Sequence, residues 1–122
     1  RHHRRIRWLI GLEYKTTIDQ LRSIRNEIDI LIKDENDFAK NENASFYVRI
    51  DSFSESSIDM LVQVFTVTND WGKFLKIKEN LAIKIIEIVE KNSAGFAFPS
   101  QSLYLENFNI DKPEIFNPKH IK

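Results

Sequence analysis

The first periodic stretch alternates. Ile6, Trp8, Ile10 and Leu12 fall on one side of an extended chain, and Arg5, Arg7, Gly11 and Glu13 on the other, which predicts a half-buried strand. At Thr17 the period changes. Thr17 and Gln20 have the spacing of a capping box, and Ile18, Leu21, Ile24, Ile28, Leu31 and Ile32 then follow at steps of three and four. Residues 34–45 are polar and aperiodic and read as a loop. A second strand runs from Phe46 to Phe53, and Ser54-Glu55-Ser56-Ser57 is short enough to turn it back as a hairpin. The strand it meets, Ile58–Val67, is interrupted only by Asp59, Gln63 and Thr66. Apolar residues on both of its sides predict a central position, covered on both faces.

The second helix opens after Asn69-Asp70, which supplies a cap. Trp71, Phe74, Ile77, Leu81, Ile85 and Ile88 form its apolar stripe, with Trp71 read as a core plug. Gly95 suits the left-handed residue that stops such a helix. Phe96-Ala97-Phe98-Pro99 is apolar and extended, and Ser100–Glu106 reads as a last strand with Leu103 and Leu105 on one side and Tyr104 on the other. The tail holding Pro113 and Pro118 has no clear period.

In order, the elements are β-α-β-β-α-β. Right-handed crossovers fold that order into a ferredoxin-like α+β sandwich, a four-stranded antiparallel sheet with both helices on one face. The expected division is a basic lead-in over 1–5, the α+β domain over 6–106 and a C-terminal tail over 107–122. This fold hosts enzymes, regulators and RNA binders alike and does not decide function.

Composition removes several classes. A chain of 122 residues suits one domain with a core of its own, and 18 Lys+Arg against 18 Asp+Glu leave no net charge to favour nucleic acid or a membrane surface. Without cysteine there is neither a disulfide framework nor a thiolate metal site. No segment approaches the ~18 to 20 apolar residues of a membrane span, and no signal-peptide pattern opens the chain. The chain starts without Met, as a fragment of a longer protein would.

Candidate chemistry is sparse. His2 and His3 adjoin but lack a third ligand nearby in sequence, and the Arg-His-His-Arg-Arg start reads as a solvated lead-in. Ser56 and Ser57 could suggest a nucleophile, yet all three histidines lie near the chain ends, so the serines read as turn residues. There are no paired carboxylates placed for catalysis, no Gly-rich phosphate loop and no His/Asp/Glu cluster at metal spacing. The expectation is a non-enzyme with no cofactor and no metal.

Four motifs occur in order: Ile10-Gly11-Leu12-x-Tyr14, Phe53-Ser54-Glu55-Ser56-Ser57-Ile58, Trp71-x-x-Phe74, and Ala94-Gly95-Phe96-Ala97-Phe98-Pro99-Ser100-Gln101. Together, over roughly residues 4 to 106, the chain resembles the C-terminal cytoplasmic domain of the small-conductance mechanosensitive channel (MscS) family. It departs in carrying Ser54 where a Gly is usual, and in its proline-containing tail. The resemblance implies a piece of a bacterial inner-membrane channel that opens under tension and releases solutes on hypo-osmotic shock. It implies that copies of this domain build a cytoplasmic vestibule, a heptamer in the full-length channel, with the membrane contacted through an N-terminal part.

Phe96, Phe98, Pro99, Leu103 and Leu105 are the candidate subunit interface, because this apolar stretch exceeds what one edge strand needs. The opposing reading tucks both Phe rings under the helices of the same chain. Two rival functions remain from the residues alone. One is a stand-alone regulatory module binding a small ligand within a dimer; the other is an RNA binder using Tyr47 and Arg49 on an open sheet face.

Overall fold

A computed structural model describes residues 4–40, 45–97 and 114–116. Its elements are β1 (Arg4–Leu12), α1 (Ile18–Asp34), β2 (Tyr47–Phe53), β3 (Ile58–Thr66), α2 (Trp71–Lys91) and β4 (Glu114–Phe116). The sheet order is β2-β3-β1-β4, so β3 and β1 hold the middle as the pattern requires. The class is α+β, two helices on an antiparallel sheet.

Register explains the core. Antiparallel partners share a face, so Leu12 with Ile58, Ile10 with Met60, Trp8 with Val62 and Ile6 with Val64 form four rungs on one side, and all eight are buried. β2 adds Val48 beside Val62. Ile24, Ile28 and Ile32 of α1 and Phe74, Leu81, Ile85 and Val89 of α2 close over this side in a single cluster. Each such side chain contributes about 1.5–3 kcal/mol by leaving water, which is why this face defines the fold.

The reverse side differs from expectation. Leu9, Leu61, Gln63 and Phe65 are only half-buried, so β3 is covered fully on one face rather than two. Its rungs there are Leu9–Leu61–Arg49 and Arg7–Gln63–Tyr47, apolar and basic side chains mixed, with Arg49 and Tyr47 exposed.

Both helix starts form as read. Thr17 accepts from the Gln20 amide while the Gln20 side chain accepts from the Thr17 amide, completing the capping box. Asp70 accepts from the Lys73 amide at the start of α2. The stop of α2 differs in its residue. The Ala94 amide donates to Val89 and the Ser93 amide to Glu90, and the left-handed position between these bonds is Ser93 (φ 60°), not Gly95. The stripes also overrun the core by a turn: Ile18 and Trp71, which open the two helices, are both exposed.

Two segments of the sheet edge were not foreseen. Asp37–Ala39, inside the polar stretch 34–45, runs beside the end of β3. The Ala39 amide donates to Phe65, the Val67 amide donates to Asp37, and Phe38 is buried in the core. On the outer edge of β1, the Glu13 amide donates to Gly95 and the Ala97 amide to Gly11, an antiparallel bridge centred on Leu12 and Phe96. Farther along that edge β4 pairs with Trp8–Ile10 in the parallel sense. The strand expected over 100–106 lies outside the described residues. Among the described residues the sheet's fourth member is this short parallel strand, from the stretch read as an aperiodic tail.

Candidate functional site

Three of the four motifs, far apart in sequence, meet where β1 ends. Gly11 lies opposite Asp59 in the β1–β3 register, and Asp59 is buried. Its two carboxylate oxygens each receive a serine hydroxyl: Ser57 donates to Oδ1 at 2.6 Å, and Ser54 donates to Oδ2. The Ser54 amide donates to the Ser57 carbonyl across the turn, and the Tyr14 hydroxyl donates to the Ser54 carbonyl. A Cβ on Gly11 would lie 3.5 Å from the Ser57 side chain, so β1 passes close to the turn. On the other edge of β1, Gly95 and Ala97 complete the bridge to Glu13 and Gly11.

This cluster locks the turn onto the start of β3. A buried carboxylate must be hydrogen-bonded, and here both serine protons serve that need. The two serines close the turn, Ser54 through its amide to the Ser57 carbonyl and both through their hydroxyls to Asp59. Among the described residues no group of three or more His, Asp or Glu could hold a metal ion. His2 and His3 lie outside the described residues.

The same end of the molecule fastens the helices. Gln20 Nε2 donates to the Asn92 carbonyl at 2.9 Å and the Ser93 carbonyl at 3.2 Å, so the residue that caps the start of α1 also caps the end of α2. Glu27 of α1 accepts from Lys91 Nζ at 2.7 Å and from Asn92 Nδ2 at 3.0 Å. The Lys91 hydrogen bond, then that of Asn92, holds the Glu27 carboxyl below its ordinary value, against a smaller opposing effect of burial.

The fourth motif sits at the opposite end of the sheet and in a different environment. Trp71 is 56% exposed and stacks on Phe74, ring centres 5.4 Å apart. The Arg4 guanidinium lies 4.9 Å from the Trp71 ring centre, and its Nε donates to the Asn69 carbonyl at 2.9 Å. Trp71 is therefore a surface platform at the point where β1 begins. It is not the core plug the stripe suggested; that role falls to Trp8.

Of the interface candidates, Phe96 is 4% exposed and packs within its own chain's core. A side chain so enclosed has little surface left to give a neighbour. Phe98, Pro99, Leu103 and Leu105 lie outside the described residues. What sequence reading missed at this site is Asp59. Its signal was available, since it is the one charged residue in the central strand, two residues after Ser57.

Comparison with known proteins agrees with this geometry. Residues 6–96 match the family described as mechanosensitive ion channel MscS, C-terminal. An uncharacterized MscS family protein of Aquifex aeolicus is 45% identical over 106 residues, 87% of this chain and 28% of the relative. The low conductance mechanosensitive channel YnaI of Escherichia coli is 32% identical over 117 residues, 92% of this chain and 31% of the relative. The structure of Helicobacter pylori MscS in a closed state superimposes with a TM-score of 0.62 at 19% identity, covering 84% of this chain and 38% of that one. At that identity the likeness concerns the fold. The chain thus spans less than a third of the two named relatives' length.

Proposed function

On the premise that this chain belongs to the MscS family of mechanosensitive ion channels, as its C-terminal domain, we propose that it forms part of a cytoplasmic vestibule wall. The parent is a tension-gated pore in a bacterial inner membrane that releases solutes on hypo-osmotic shock. The observation that carries this is the family match over residues 6–96, which takes in every element except β4 and the first two residues of β1. The locked motif end supports it too, because its polar groups are spent on one another rather than on a substrate.

In this reading the domain does no chemistry and needs no cofactor. It is a scaffold repeated around a ring, a heptamer, with the membrane spanned elsewhere in the parent. No helix among the described residues is long and apolar enough to cross a membrane. The antiparallel bridge of Gly95–Ala97 on β1 starts the chain in the direction a ferredoxin-like fourth strand would take. Beyond it Phe98, Pro99, Leu103 and Leu105 supply the apolar surface for a neighbouring subunit.

The test is patch-clamp recording of the full-length parent in liposomes beside its Leu105→Asp variant. Tension-dependent conductance is expected in the wild type. In the variant, a carboxylate desolvated at every copy of the interface should impair assembly. A correctly inserted wild type without such conductance overturns the channel function. An unaffected variant overturns the interface alone.

A further inference from the structure

The two helices are fastened at one end only. Gln20 and Glu27 tie α1 to the last turn of α2, but α1 stops at Asp34 and the chain leaves it for the Asp37–Ala39 bridge beside β3. Between that departure and α2 a cleft of about 110 Å³ remains. Phe38 and Leu81, 5% and 2% exposed, and the half-buried Ile77 give it an apolar floor.

The rim is charged, and its signs are divided. Glu35 and Asp37 stand on the side of α1, while Asn80 and Lys84, four residues apart on α2, stand on the other. Glu35 is the C-cap of α1, so the negative end of that helix adds to the first side. The opposed charges do not neutralise each other. Among the described residues the Glu35 and Asp37 carboxylates and the Lys84 ammonium make no ion pair and no side-chain hydrogen bond. The neighbouring base, Lys40, donates to the Glu35 carbonyl instead. Elsewhere on these helices such groups meet when they are within reach, Lys33 with Asp29 and Lys91 with Glu27. Here carboxylate and ammonium are held apart with apolar space between them.

We infer that this cleft is a binding site for a small zwitterion with an apolar body, of the α-amino acid class. Two acids face two bases around it, so a ligand of no net charge that carries both signs is the one that answers both sides. Its ammonium lies toward Glu35 and Asp37, its carboxylate toward Lys84 and the Asn80 amide, and its side chain on Phe38, Ile77 and Leu81. Size narrows the choice, because sites for drug-sized ligands occupy about 300–1,000 Å³ and this one is smaller. A bound ligand bridges the end of α1 to the middle of α2, a stretch that the Gln20 and Glu27 contacts do not reach. The assignment does not depend on the channel reading, since every residue it uses lies within this domain.

The probe is L-leucine, beside two analogues that each keep one charge: leucinamide, without the carboxylate, and 4-methylpentanoate, without the ammonium. Saturation-transfer NMR on the full-length parent in detergent micelles should show saturable leucine binding, in the millimolar range of so small a ligand. Both analogues should bind about fivefold more weakly, the upper value for one exposed ion pair. Lys84→Ala should weaken leucine by about the same factor and abolish its advantage over leucinamide. Asp37→Asn should reduce the advantage over 4-methylpentanoate. Lys76→Ala, the same loss of charge on α2 outside the cleft, should change neither. All three residues are exposed, so these variants keep the fold. Leucine binding that does not saturate, or that Lys84→Ala leaves unchanged, overturns the proposal. So does an equal loss in Lys76→Ala, which would reduce the effect to the general charge of the surface.

Discussion

The two faces of the sheet are built from the same strands and differ in almost everything else. On one, Trp8, Met60, Val62 and Val64 sit under two helices with no exposure to speak of. On the other, Leu9, Leu61 and Phe65 are half-buried among Arg5, Arg7 and Arg49. The same contrast runs along α2. Its C-terminal end is tied to α1 by Gln20, Glu27, Lys91 and Asn92, while its N-terminal end stands out as a platform of Trp71 and Arg4. Among the described residues the fold closes one face and one end upon itself and leaves the other face and the other end more open.

Neighbouring residues of β3 test the contrast most severely. Val62→Asp buries an unpaired carboxylate beneath the helices and should remove several kcal/mol, enough to unfold a domain whose whole stability is about 5–15 kcal/mol. Leu61→Asp, one residue away and beside Arg49, should lose only about 1 kcal/mol. Chemical denaturation of both variants measures the difference. Equal losses would mean that the reverse face is as enclosed as the first.

At the fastened end of α2 the effect is smaller and opposite in sign. Ser93 occupies the left-handed position that glycine takes without steric penalty, so Ser93→Gly should raise stability by about 1 kcal/mol. A lowered thermal midpoint would show that the Ser93 carbonyl's bond to Gln20 depends on the serine.

The smallest expected effect is that of pH. Glu27 has its carboxyl lowered in the folded chain by Lys91 and Asn92, so it binds a proton more readily when unfolded. Its contribution is present above the ordinary glutamate value of 4.5 and fades as pH falls through that value toward the folded one. The contact is largely exposed, so the slope should be shallow and weaker still in high salt. Glu27→Gln should flatten the wild-type curve in that window; identical curves would remove Glu27 from the fastening.

Much of this was legible in the chain. Capping pairs announce helix starts because the chemistry is local: Thr17 with Gln20, and Asp70. The alternation of β1 and the turn before β3 gave the sheet for the same reason. What failed was whatever depends on where neighbouring elements end. The stripes of both helices include Ile18 and Trp71, yet spacing says only which way a side chain points, not whether the core extends that far. Phe38 was hidden in a polar stretch because a single bridge to Thr66, rather than any period, carries it inside. Gly95 was taken for the helix stop because glycine is the usual choice, whereas the bonding pattern fixes the position two residues earlier. Within the candidate interface, Phe96 belongs to its own chain's core, as the opposing reading of that stretch had it.

One feature of the sheet also governs the order in which the molecule is made. β2 and β3 are neighbours in sequence and can pair early, but β1 pairs residue 12 with residue 58 and residue 4 with residue 66. Closing so long a loop has to precede any reward from the pairing, which slows folding. On the ribosome β1 emerges first yet finds no partner until β3 has followed. Through that interval Ile6, Trp8 and Ile10 remain uncovered, at the point where the family's upstream part has already been synthesised. The first strand to be made is therefore the one that waits longest for its partner.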